Sequence, residues 1–170
     1  MDWPPVSEII MILPVKGSNK KLRKAVEQAA WYYAEKLMGK RLMAGIELTI
    51  NLKKNLLSKE GNEGSAIWED DGYRSREFTI ELDTTVKIRN LLITLAHEMV
   101  HVKQWAKDEM YEYMNTMGLV RFKGEKIHLE ETDYWDYPWE IEAYGKQLGL
   151  FVRFCEHMGF EKDDNMKEEA

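Results

Sequence analysis

A chain of 170 residues with 44% apolar composition is long enough to bury one core, and no Ser-, Gly- or Pro-rich linker divides it. Thirty acidic residues against twenty-four basic ones give a net charge of −6 with no Lys/Arg stripe interleaved with aromatics, so nucleic acid is not an expected partner. The single cysteine, Cys155, excludes an internal disulfide framework and suits a reducing compartment.

In chain order, the first apolar run, "EIIMILPV", follows acidic rather than basic residues and so lacks the flank of a signal peptide. No stretch is long enough to span a bilayer, and the expectation is a soluble cytoplasmic protein with no membrane partner. A first helix is predicted from Asn19 to Met38, because Leu22, Val26, Ala29, Tyr33 and Leu37 recur at helical spacing, with Ser18 as cap and Gly39 as stop. "GIELTINL", "SAIWED" and "REFTIELD" read as three strands of a small sheet. Asp83 to Thr85 offer caps for the next helix, which should end before Gly118. "LVRFKGEKIHL" predicts a hairpin turning at Lys123 and Gly124, and Pro138 starts a last helix running to about His157. Residues 1–160 thus read as one domain, and the charged tail 161–170 as disordered.

The chemistry concentrates in "LLITLAHEMVHVKQWAKDEM". A helix turns 100° per residue, so His97 and His101 share a face, while Leu91, Leu92, Leu95, Met99, Val102 and Ala106 gather on the opposite side. Glu98 lies between them, close enough to meet a water bound to a shared ion. This is H-E-x-x-H, two imidazole ligands with a carboxylate as general base. The competing reading is a pair of surface histidines.

A hydrolytic zinc site needs a third protein ligand. Gln104 and Lys107 stand where a metzincin carries Gly and His, which excludes that class. Asp108 falls too far along the same helix, His128 lies in a predicted strand, and His157 lies near the far end of the last helix. "PWEIEAYGKQ" offers Glu140 and Glu142, about 200° apart on a helix, so only one can face the metal.

H-E-x-x-H followed by a glutamate on a downstream helix resembles the gluzincin-type zinc metallopeptidases, small examples of which occur in bacteria and tailed phages. The resemblance spans residues 20–157, although only the two motifs are specific. It implies an α+β zincin-like fold with a small, mostly antiparallel sheet, Zn2+ held by His97, His101 and Glu140, and Glu98 as the base that hydrolyses a peptide or protein substrate. Glu142 is the runner-up ligand, and Tyr144 stands where the family commonly has an Asp or Asn supporting a histidine. Tyr134, Tyr137 and Tyr144 are candidate oxyanion donors, and "SAIWED" is the candidate substrate edge. The alternatives are a SprT-like protease with His128 as third ligand, or a zincin-fold binding module without turnover.

Overall fold

The computed structural model describes residues 11–70 and 73–168, so the first residues of "EIIMILPV" lie outside the described residues. After a two-residue strand β1 (Val15–Lys16), helix α1 (Lys20–Met38) is capped by Asn19, whose side chain accepts a 2.9 Å hydrogen bond from Leu22 N–H. Ser18, the expected cap, instead adopts a left-handed φ of 55° and offers its carbonyl to Arg23. Gly39 closes the helix with a φ of 77° and an N–H bond to Glu35.

A short α2 (Lys40–Met43) leads into β2 (Glu47–Lys53), followed by α3 (Leu56–Glu60), β3 (Gly64–Trp68) and β4 (Glu77–Asp83). The four strands lie in the order β1-β2-β4-β3. This sheet corrects the expectation of a mostly antiparallel one, because β1 pairs with β2 and β2 with β4 in parallel, leaving β3–β4 as the antiparallel pair. The reason is connectivity: α1 is a crossover between β1 and β2, and a crossover joins parallel neighbours. Two residues between Pro14 and Gly17 are too short to show a strand period, so the crossover has no visible start in the sequence. Alternation in β2 and β4 turns Leu48, Ile50, Phe78, Ile80 and Leu82 into the core that α1 and α4 cover.

Helix α4 (Ile88–Ala106) carries the H-E-x-x-H motif. Gly64 is what lets β3 pass directly against it, since a Cβ there would lie 2.6 Å from Thr94 Cγ2. Next come β5 (Met110–Glu112), β6 (Leu119–Phe122) and β7 (Glu125–His128), an antiparallel sheet whose β6–β7 turn is Lys123 and Gly124, both at positive φ as a tight hairpin requires. Pro138 occupies the first turn of α5 (Pro138–Met158), which packs along α4. Asp164–Met166 form a 3-10 turn, with Met166 resting on the core. Among the described residues no helix is long and apolar enough to cross a membrane.

Candidate metal centre

His97, Glu98 and His101 are only 8%, 7% and 7% exposed, which removes the reading of paired surface histidines. The motif faces away from the leucine stripe, as the helical wheel requires, but it faces α5 and β3 rather than solvent. The first turns of α5 bring Glu140 to the two imidazoles, so two ligand candidates stand on α4 and one on α5.

The three donor groups form a triangle whose Glu140 corner is shared by its two carboxylate oxygens. His97 Nε2 lies 3.2 Å from His101 Nε2 and 3.1 Å from Glu140 Oε2, and His101 Nε2 lies 3.4 Å from Glu140 Oε1. Ligands about 2.0–2.1 Å from a tetrahedral zinc are about 3.3 Å from one another, so these separations are compatible with a shared zinc ion. His97, His101 and Glu140 could thus hold a metal ion.

Lone-pair chemistry points the same way. Gln104 donates through its amide nitrogen to Trp139 O at 3.0 Å and to Glu142 at 2.9 Å, which leaves its amide oxygen, 2.9 Å from His101 Nδ1, as an acceptor. His101 Nδ1 must therefore carry the proton, and in the neutral ring Nε2 presents a bare lone pair to the triangle. His97 Nδ1 meets Gln147 Oε1 at 2.9 Å in the matching arrangement. Two lone pairs and a carboxylate converging on one point repel one another unless a cation or a proton sits between them. Burial opposes charging His101, but hydrogen bonding to Glu140 outweighs it and raises the His101 pKa. Burial likewise opposes the Glu140 charge, yet the bonds from His101 and His97 hold that carboxyl well below the usual carboxylate range.

Glu142 is not a member of the triangle. It points to the other flank of α5, where it bonds Lys103 at 2.5 Å as well as Gln104. Lys103 in turn contacts Glu109 at 2.6 Å, so an ion cluster around the buried Lys103 clamps α4, α5 and the segment entering β5. His128 is exposed at the end of β7, opposite Leu119, and His157 packs against Tyr32 with the rings tilted and their centres 5.1 Å apart. Neither joins the donor group.

Gln104 and Gln147 are the residues that sequence reasoning missed. Tyr144 stands where the resemblance implies a supporting Asp or Asn, and its ring packs edge-on against His97, 4.6 Å between centres. Gln147 stands about two turns beyond Glu140 and Gln104 one turn beyond His101, so helical spacing marked both as neighbours. An amide simply carries no charge to draw attention.

Glu98 stands beside the triangle on the wall of a cleft of about 770 Å3 that also contains His97, His101, Glu140, Tyr134, Tyr144 and the first half of β3. Burial raises the Glu98 pKa, with His101 and His97 opposing and the Ala66 N–H donating to the carboxylate. Tyr134 donates its hydroxyl to Glu140 at 2.9 Å, and burial together with Tyr144 and Glu140 pushes its pKa far up, so it stays a proton donor. Tyr137 is committed elsewhere, to Leu129 O at 3.0 Å. Near the mouth, burial in the cleft raises the pKa of Glu112, and His101 opposes the rise.

No protein-family model, no curated protein and no solved structure matches the chain. Geometry and chemistry therefore carry the functional argument.

Proposed function

We propose that this chain is a zinc-dependent metallopeptidase in which His97, His101 and Glu140 hold the ion and Glu98 is the general base. The observation that carries the reading is the convergence of two buried imidazoles and the part-buried Glu140 carboxylate, at separations compatible with a tetrahedral zinc, beside the buried carboxylate of Glu98 in an open cleft. When bound, zinc supplies Lewis acidity and brings the pKa of a water toward neutrality.

The residues of the chain do the rest. Glu98, its pKa raised by burial, accepts a proton from the attacking water and later delivers it to the departing amine. Tyr134, neutral and adjacent to Glu140, is the donor best placed to stabilise developing negative charge on the substrate oxygen. The extended substrate lies along β3. Glu63 and Glu69 flank that strand and exchange backbone bonds with β4, so by alternation Gly64, Ala66 and Trp68 turn their N–H and C=O groups to the free edge. The bond from Ala66 N–H to Glu98 aligns that edge with the base.

The SprT-like reading is disfavoured by the exposed position of His128, outside the donor group. A purely structural zinc would call for a fourth protein ligand, and Glu98 supports turnover instead. The experiment is to load the purified chain with zinc and incubate it with a broad peptide library. Cleavage that disappears on chelation, returns with zinc and is lost in Glu98→Gln is expected. A zinc-loaded chain that cuts no peptide overturns the proposal.

A further inference from the structure

The cleft over α4 contains acids beyond the donor triangle. Its described lining includes Glu63, whose carboxylate accepts from Thr94 at 3.3 Å, and Glu112 near His101, but no Lys or Arg. A divalent ion's two charges are matched by Glu98 and Glu140, so Glu63 and Glu112 set the remaining field along the cleft, and that field is negative.

Glu112 has the more telling surroundings. It pairs across the sheet with Val120, and Val120 pairs with Ile127, so by register its side chain rises from the same face as those two residues and as Met110 two positions earlier. Met110 and Val120 are buried, and Tyr137 and Trp139 line the cleft with them. No described Lys or Arg pairs with this carboxylate, although charged neighbours on other parts of the surface, such as Arg121 with Asp108, do pair. An anion at the rim of an apolar wall suits a side chain with a hydrocarbon stem and a cationic tip.

We infer that the substrate presents a lysine or arginine side chain to Glu112, its stem lying against Met110 and Val120. This rests on the peptidase reading and adds a substrate class to it. A glutamate side chain in the same place meets a like charge, and a neutral one leaves the carboxylate without a partner.

The test uses the zinc-loaded full chain and peptides in which Lys, Arg, norleucine and Glu are exchanged position by position, with products read by mass spectrometry. At one position relative to the cut bond, Lys and Arg peptides are expected to be cleaved about tenfold faster than norleucine peptides, which keep the stem and lack the charge. High salt is expected to shrink that ratio. Glu112→Gln brings the ratio close to one, and Glu112→Lys turns the preference toward Glu. Cleavage with no basic preference, or a preference unchanged in both Glu112 variants, overturns the inference and leaves the peptidase reading standing. No cleavage of any peptide overturns both.

Discussion

His101 has its tautomer set by a relay that begins on another helix. Glu142 and the Trp139 carbonyl hold the Gln104 amide, Gln104 fixes the Nδ1 proton of His101, and the free Nε2 then faces Glu140. Glu142, read from the sequence as the runner-up ligand, thus bears on the candidate metal site from outside it. Replacing Gln104→Leu is expected to weaken zinc binding by about 10–100-fold, the usual cost of losing a partner behind a histidine ligand. Glu142→Ala is expected to weaken binding in the same direction, and the double variant should be no worse than Gln104→Leu alone, because the two changes break one relay. Chelator competition measures all three, and full additivity would show that the relay does not exist. Glu98→Gln belongs to a different class. It removes the proposed base and none of the candidate ligands, so zinc affinity is expected to stay within a few-fold of the parent while the proposed peptide hydrolysis falls by about 10²–10⁴.

At the level of elements, α1 and α5 were legible within one or two residues because each has a long apolar period and an end signal: Gly39 after α1, Pro138 at the start of α5. Helix α4 was legible by its period but not by its ends: expected to be capped at Asp83 to Thr85 and to run to before Gly118, it starts at Ile88 and stops at Ala106, with β5 following at Met110. The β6–β7 hairpin was legible from Lys123–Gly124. Strands β1 and β5 were not, having two and three residues and hence no period, and without β1 the parallel pairing could not be foreseen. The triangle itself was legible in residue type and spacing, whereas its supports and the depth of its burial depend on how α5 lies against α4, which local pattern does not encode. Asp83 illustrates the same limit. Expected as a cap for α4, it is fully buried and instead ties three elements together, accepting from Asn55 and Leu57 N–H at the start of α3 and from the Thr85 N–H and hydroxyl ahead of α4. Burial raises its pKa, but those bonds outweigh burial and the net shift is downward. A lowered carboxyl contributes stability that is present above the unfolded pKa, about 3.9, and is lost as pH falls through the folded value. Asp83→Asn is therefore expected to cost about 2–3 kcal/mol at neutral pH, with the gap to the parent closing in acid. Urea unfolding across pH measures it; a gap that widens in acid would contradict the sign.

For the whole molecule, a metal ion held by the triangle would couple metal binding to the fold. The candidate ligand atoms come from α4 and α5, which pack together in the native chain and separate on unfolding, so the unfolded chain has no preformed site. A ligand that binds only the folded form at a concentration 100 times its dissociation constant stabilises it by about 2.7 kcal/mol. For a chain of this size each kcal/mol moves the melting temperature by about 2–4 °C, so zinc at that excess is expected to raise it by about 5–10 °C. The rise should saturate at about one zinc per chain, as the described residues contain one such donor group. Glu140→Ala, which breaks the bridge between the two helices, should abolish most of the rise, whereas Gln104→Leu should keep it but require about 10–100-fold more zinc. Magnesium supplies the control, because an ion that demands six oxygen ligands finds two nitrogens and a carboxylate and should leave the melting curve nearly unchanged. A melting temperature indifferent to saturating zinc, in a chain that melts reversibly, would mean that the three donors meet around a proton rather than a metal, with His101 protonated against Glu140.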